Sequence, residues 1–170
     1  MSCRGGIDPG KKGFICWMIG KKIEYLAMPK IGKEFDIMTT AKKLANLKSL
    51  HPDLFFVLEA VNADPKWGAK NNFSFGEGNM LFKTLLTILK IPFVRTNPKK
   101  WQKEMFEGIP IQKKPSSTGK TMVNDTKKMA EMAVQRLFPD EDMKRTKRCT
   151  TLDDNKIDAL LIAEYCRRIY

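Results

Sequence analysis

Acidic residues stand at two positions in this chain where an isolated carboxylate would be unfavourable. Asp8 follows Gly5-Gly6-Ile7, and Glu59 follows the apolar run 54–58. A charged group at the end of a buried strand needs a partner, unless it faces solvent at the edge of the sheet. Taken singly, either acid is compatible with an ordinary solvent-facing carboxylate.

A third acidic position is the segment 153–158, which directly precedes the apolar run 159–163. On a helix, Asp154 and Asp158 are four residues apart and share a face, so their like charges repel. The helix dipole accounts for acids in the first turn, but it accounts poorly for Asp158 beside the apolar run. A bound cation would stabilise this arrangement.

Acids from two strands and one helix can hold two Mg²⁺ ions about 4 Å apart, which activate water for phosphodiester hydrolysis. Carboxylate oxygens suit Mg²⁺, and Mn²⁺ can substitute for it. The chain has one histidine, His51, in a polar turn, and four cysteines without a CxxC pair. A structural zinc site and a histidine-dependent nucleophile are therefore disfavoured.

The elements that would position these acids begin with strands and then alternate. The predicted order is strands at 3–8, 14–19 and 23–28, a helix at 35–50, a strand at 54–58, a loop at 60–78, a helix at 79–89, a strand at 91–95, a short helix from 98, a mobile surface loop at 107–120, and helices at 123–137 and 152–168. This order predicts an α/β fold in which helices flank both faces of a mixed five-stranded sheet, a three-strand antiparallel meander followed by parallel strands. We expect one domain over residues 1–170.

The composition restricts the partners. The net charge is +12, carried by both halves of the chain, which favours a polyanion and most often nucleic acid. No apolar run approaches the roughly 20 residues that cross a membrane, and the first residues lack the features of a signal peptide. We expect a reducing intracellular compartment (cytoplasm, nucleoid, organelle or viral replication site), not secretion.

The segment 117–121 is similar to the end of a nucleotide-binding loop. Such a nucleotide-binding loop needs glycine where this chain has Lys114. It must also follow a strand, and the sequence predicts none directly before 117–121. We therefore expect no nucleotide cofactor.

The ordered motifs resemble RuvC-type Holliday junction resolvases of the RNase H-like nuclease superfamily, including phage and organellar relatives. Gly6-Ile7-Asp8-Pro9-Gly10 resembles the first-strand motif, 55–59 the strand that carries the Glu, and 154–163 the terminal helix. Further similarity lies at 69–71, at 76–78 and from Pro98 through Lys103 to Gly108, and Lys120 stands for the lysine before the next helix.

The resemblance implies a homodimer that resolves four-way DNA junctions by Mg²⁺-dependent hydrolysis, leaving 5′-phosphate and 3′-hydroxyl ends. It implies metal binding and catalysis by Asp8, Glu59, Asp154 and Asp158. Because the family commonly has Asp or His where this chain has Asn155, either Asp154 or Asn155 is the fourth ligand. The alternatives are a nuclease acting on RNA–DNA hybrids or other branched DNA, and a junction-binding protein with a vestigial site.

Residues predicted to contact DNA are lysines near the motifs, together with an amide and aromatic side chains. An aromatic residue that bacterial members place a few residues after the Glu is here Asn62, so Trp67, Phe73 or Phe75 are candidates to replace it. The predicted DNA-binding set is Lys11, Lys12, Trp67, Lys70, Asn71, Phe73, Lys99, Lys100, Lys103, Lys113, Lys114 and Lys120.

Overall fold

The structure is a computed structural model that describes residues 2–60 and 68–170. At positions 69–72, 74 and 75 it describes the backbone but not the side chains.

The central sheet has five strands in the order β3-β2-β1-β6-β7. Strand β1 (Cys3–Ile7) pairs antiparallel with β2 (Phe14–Ile19), which pairs antiparallel with β3 (Lys22–Ala27). On its other side β1 pairs in parallel with β6 (Phe55–Glu59), and β6 pairs in parallel with β7 (Phe93–Thr96). The predicted mixed sheet with its antiparallel meander is confirmed.

Five helices and two small hairpins complete the described fold. Their bounds are β4 (Lys30–Ile31), β5 (Glu34–Phe35), α1 (Ile37–Leu50), α2 (Ala69–Ile88), α3 (Pro98–Met105), β8 (Lys113–Pro115), β9 (Met122–Asn124), α4 (Thr126–Leu137) and α5 (Asp154–Ile169). No helix in the described residues is both long enough and apolar enough to span a membrane.

Helices cover both faces of the sheet because the side chains of each strand alternate between the faces. On β6, Phe56 and Leu58 pack in the core formed with α1 and α2. The intervening Val57 packs in the opposite core, formed with α3, α4 and α5. The apolar run that the sequence presents at 54–58 is therefore a strand buried on both faces.

Side chains at the N-termini fix where most of the helices begin. Asp36 caps α1, Asn97 caps α3, Asp125 caps α4 and Asp153 caps α5, and each accepts hydrogen bonds from backbone N–H groups of the first turn. These bonds satisfy donors that have no partner within the helix. One acid of the 153–158 segment is thereby explained as a cap.

Two segments predicted as loops contain regular structure. The predicted loop 60–78 already enters α2 at Ala69, ten residues before the predicted start at Asn79. The segment 113–115 pairs antiparallel with 122–124, so the predicted mobile loop includes part of a hairpin and α4 begins at Thr126 instead of 123. The sequence signal failed because prolines, glycines and lysines also suit the turn and exposed face of a hairpin.

Candidate active site

The two strand-end acids lie on neighbouring parallel strands and face the same side of the sheet. Asp8 directly follows β1, and Glu59 ends β6. The preceding residues, Ile7 and Leu58, pair in register and pack in the core with α1 and α2. Because side chains alternate along a strand, Asp8 and Glu59 project toward the face covered by α5.

Helix α5 reaches this face because β1 carries glycine where the two elements cross. A Cβ atom at Gly6 would lie 2.6 Å from the carbonyl oxygen of Ala159 and would also collide with the backbone nitrogen of Ala163. No other residue permits so close an approach. The crossing places the first turns of α5, which carry Asp154 and Asp158, beside the strand ends.

Burial and neighbouring negative charge raise the pKa values of the strand-end acids. Asp8 is only 6% exposed, and this burial, together with the negative charge of Asp153, raises its pKa to about 6. A hydrogen bond from the Gly10 N–H and the positive charge of Arg145 act in the opposite direction. Burial and the neighbouring charge of Asp8 raise the pKa of Glu59 to about 7. The two carboxyl groups therefore destabilise each other when both are ionised.

The helix acid Asp158 joins this pair. The pKa of Asp158 is raised well above the usual range, first by the loss of water around its partly buried carboxyl group and then by the negative charges of Glu59, Asp8 and Asp154. The positive charge of Lys127 lowers it. The structure thus brings Asp8, Glu59 and Asp158 into one electrostatic cluster.

Asp154 stands beside this cluster in an ion pair. One of its carboxylate oxygens accepts a hydrogen bond from the ammonium of Lys127 on α4. The alternative fourth ligand, Asn155, lies partly buried and donates its side-chain N–H to Asp153. Which of the two binds a metal stays a prediction.

Two groups in this region have no place in the sequence prediction. The indole N–H of Trp101 on α3 donates to Oε1 of Glu59 at 2.8 Å, and this bond opposes the rise of the Glu59 pKa. Lys127 is the lysine beside the helix acids, whereas Lys120 lies in the turn between β8 and β9. The sequence could have indicated that Trp101 has an acidic or carbonyl partner, since a buried indole N–H needs a hydrogen-bond acceptor. The sequence could not indicate the role of Lys127, because its position beside Asp154 depends on how α4 packs against α5.

Arg145 fixes the entry of α5 against the strand-end loop. Its guanidinium donates to the Asp153 carboxylate and to the backbone carbonyl of Lys12, and lies 4.7 Å from the centre of the Phe14 ring. Since Asp153 caps α5, these contacts link the start of that helix to the loop after Asp8. In the sequence, Arg145 is one of four basic residues in the segment 144–148, and nothing there indicates these contacts.

The donor chemistry of the cluster fits a divalent cation, although a ready-made ligand set is absent. Within residues 2–60 and 68–170, no three Asp, Glu, His or Cys side chains form a group arranged to hold a metal ion. The cluster nevertheless consists of carboxyl oxygens, the ligands that Mg²⁺ and Mn²⁺ prefer. A cation would also favour the ionised form of all three carboxyl groups, whose pKa values are raised first by burial and then by neighbouring negative charge.

Some of the lysines predicted to bind DNA form ion pairs within the protein, and others are exposed to solvent. Lys11 forms ion pairs with Glu34 at 2.9 Å and Glu77 at 3.0 Å, and Lys114 pairs with Asp125 at 3.0 Å. The remaining described lysines of the set are exposed: Lys12, Lys99, Lys100, Lys103, Lys113 and Lys120.

The other predicted DNA contacts surround the start of α2. Trp67 lies outside the described residues, and the structure describes only the backbone at Lys70, Asn71 and Phe75. Phe73 is exposed on α2. Asn62, the residue at the family's aromatic position, also lies outside the described residues.

Comparison with known proteins identifies the fold. No protein-family model and no curated protein sequence matches the chain. Among solved structures, it is similar to T. thermophilus RuvC in complex with a Holliday junction substrate, with a TM-score of 0.62 and 12% sequence identity, over 99% of this chain and 96% of that chain. The chain therefore has the RNase H-like fold of RuvC, and the resemblance predicted from the sequence is confirmed at the level of the fold.

Proposed function

We propose that this protein is a Mg²⁺-dependent endonuclease that resolves four-way DNA junctions. The observation that supports this most strongly is the cluster of Asp8, Glu59 and Asp158, three acids with raised pKa values on one face of a RuvC-like sheet. Buried or partly buried acids with raised pKa values need a structural or chemical reason, and such groups concentrate at functional sites.

In this proposal Asp8, Glu59 and Asp158, with Asp154 or Asn155, hold two Mg²⁺ ions. Bound there, such ions would supply what phosphodiester hydrolysis needs, an activated water molecule and stabilisation of the leaving oxygen. The protein's own groups prepare the site. The indole N–H of Trp101 donates a hydrogen bond to one oxygen of Glu59, and Lys127 places a positive charge beside Asp154.

The positive surface has the role of holding DNA around this acidic cluster. Lys99, Lys100 and Lys103 are exposed on α3, the helix that also supplies Trp101 to Glu59. Lysine contacts to phosphates position a nucleic acid without reading its sequence. With a net charge of +12, much of the affinity should be electrostatic.

Residues 1–170 form a single nuclease domain in this proposal, and two copies assemble into a homodimer. Two symmetric cuts across a junction need two active sites related by a two-fold axis. Helix α2 offers a surface for this, an exposed stripe of Phe73, Met80 and Ile88 at helical spacing. Large apolar side chains exposed together commonly mark an interface.

The test is cleavage of a synthetic four-way junction in Mg²⁺, with nick positions mapped on all four strands. The wild-type protein should make paired nicks at symmetric positions. Asp8→Asn should reduce cleavage at least a thousandfold and leave junction affinity within about threefold, because lysine–phosphate contacts need no metal ion. Full cleavage by Asp8→Asn would contradict the proposal.

A linear duplex and an RNA–DNA hybrid in the same assay separate the alternatives. Preferred cleavage of the hybrid would assign the protein to nucleases of that substrate. Tight junction binding without Mg²⁺-dependent cleavage of any substrate would indicate a vestigial site.

A further inference from the structure

Strands β8 and β9 form a hairpin that stands apart from the central sheet. The two strands pair only with each other, with Lys113 opposite Asn124, Lys114 opposite Val123 and Pro115 opposite Met122. Cross-strand partners in an antiparallel pair share a face. One face therefore carries Lys113, Pro115, Met122 and Asn124, and we call it the outer face; the other carries Lys114 and Val123.

The outer face is open to solvent at every position. All four of its residues are exposed, and the Met122 side chain is 59% exposed. The other face is less open: Val123 is 42% exposed, and Lys114 is partly buried and bonded to Asp125, the cap of α4. An exposed apolar pair, Pro115 with Met122, lies between a lysine and an asparagine and contacts no described core.

The hairpin is close in the chain to the candidate active site. Asn124 ends β9, Asp125 caps α4, and Lys127 in the first turn of α4 pairs with Asp154 of the acidic site. The hydrogen bond from the Asp125 N–H to the Gln112 carbonyl also joins the base of the hairpin to this cap. Asn124 of the outer face is therefore only three residues from Lys127, whose side chain lies at the acidic site.

The charge around the outer face indicates which kind of ligand this face binds. Residues 113–128 contain five lysines and one acid, Asp125. Lys114, Lys127 and Lys128 form ion pairs, whereas Lys113 and Lys120 are exposed and form none with the described residues. A surface with this charge and an exposed apolar centre suits a polyanion that also presents flat apolar groups. Single-stranded or unstacked nucleic acid has both, phosphates for the lysines and base faces for the apolar side chains.

We propose that the outer face of the β8–β9 hairpin binds unpaired DNA bases and their phosphates. Pro115 and Met122 pack against an exposed base, Lys113 contacts the adjacent phosphate, and Asn124 supplies an amide for hydrogen bonding. This inference rests on the proposed action on DNA, and it adds that the protein recognises unpaired bases, as at the centre of an opened junction, in addition to duplex arms.

The test compares Met122→Ser with Val123→Ser, its neighbour on the opposite face of the same hairpin. Binding is measured by fluorescence anisotropy in the Asp8→Asn background, with three labelled probes: a single-stranded oligothymidine, a four-way junction and a linear duplex. Met122→Ser should weaken binding to oligothymidine and to the junction about five- to tenfold, the effect of removing one apolar side chain from contact with a base, and to the duplex less than twofold. Val123→Ser should change all three affinities less than twofold.

Lys113→Gln tests the phosphate contact separately. It should weaken binding to oligothymidine and lower the slope of log affinity against log salt by about one. Thermal unfolding of each variant checks that the fold is kept.

The outcomes separate this inference from the proposed function. Equal binding by Met122→Ser and Val123→Ser, or an equal loss on duplex and oligothymidine, would overturn the inference even if the wild-type protein resolves junctions. Failure of the wild-type protein to cleave junctions would overturn the proposed function, while oligothymidine binding would still decide the role of the hairpin.

Discussion

The buried Asp8 and the half-buried Glu59 make the stability of the metal-free protein depend on pH. Burial, together with neighbouring negative charge, raises their pKa values to about 6 and about 7, above the values expected in the unfolded chain. The folded state therefore holds more protons than the unfolded state between about pH 4 and pH 7. Stability from these groups is fully present below about pH 4 and is lost as the pH rises through their folded-state pKa values.

We therefore expect the free energy of unfolding of the metal-free protein to fall between pH 4 and pH 7. Chemical denaturation at intervals of one pH unit, in the presence of a chelator, measures this decrease. Asp8→Asn should flatten the curve, because it removes one buried charge and relieves Glu59. A rise in stability over this range, with the wild-type and variant curves parallel, would contradict the assignment of these acids as a mutually repelling pair.

At the scale of elements, the crossing of β1 and α5 decides whether the acids meet. Gly6 permits the contact, and a methyl group there would collide with the α5 backbone at Ala159 and Ala163. We expect Gly6→Ala to destabilise the protein by about 1–3 kcal/mol, the usual effect of overpacking a core. We also expect it to lower cleavage at least tenfold, because it separates Asp8 from Asp158.

Gly76→Ala is the matched control for this prediction. Gly76 lies within α2, and a Cβ atom there meets no other atom within 4 Å. Alanine in an open helical position should leave stability unchanged or raise it by up to about 1 kcal/mol. Thermal unfolding of the two variants gives the comparison; because Gly76 lies between Phe73 and Met80 on the α2 stripe, it is a control for stability only. Equal unfolding temperatures would show that the close crossing is not required.

At the scale of the whole molecule, the proposed homodimer can be tested at the α2 stripe. Met80 is 61% exposed and Ile88 is 69% exposed. In a homodimer built on this stripe, the double variant Met80→Glu/Ile88→Glu should sediment as a folded monomer at micromolar concentration, because it places unpaired charges in an apolar interface. It should nick junctions singly and lose the paired cuts.

Ile31→Glu controls for the loss of an exposed apolar residue elsewhere. Ile31 is equally exposed, on the small β4–β5 hairpin. This variant should remain dimeric and keep the paired cuts. A wild-type protein that sediments as a monomer and still makes paired cuts would rule out the dimer.

The sequence by itself determined the sheet and the identity of the acids. Apolar runs of strand length, interrupted by turn residues, define the five strands, and an acid at the end of an apolar run is visible without coordinates. The start of α2 at Ala69 was missed because the segment before Asn79 is polar and contains two glycines, which disfavour a helix by local propensity. The β8–β9 hairpin was missed because its exposed face gives no alternation of apolar and polar residues.

Only the tertiary structure decided which groups surround each acid. Residues 8, 59 and 158 are remote in sequence, and they meet because Gly6 admits α5 to the sheet. The bond from Trp101 to Glu59 and the ion pair of Lys127 with Asp154 depend on how α3 and α4 pack over α5. Residue type and local spacing fix which groups can ionise, whereas the shift of a pKa depends on burial and on charges brought from distant parts of the chain.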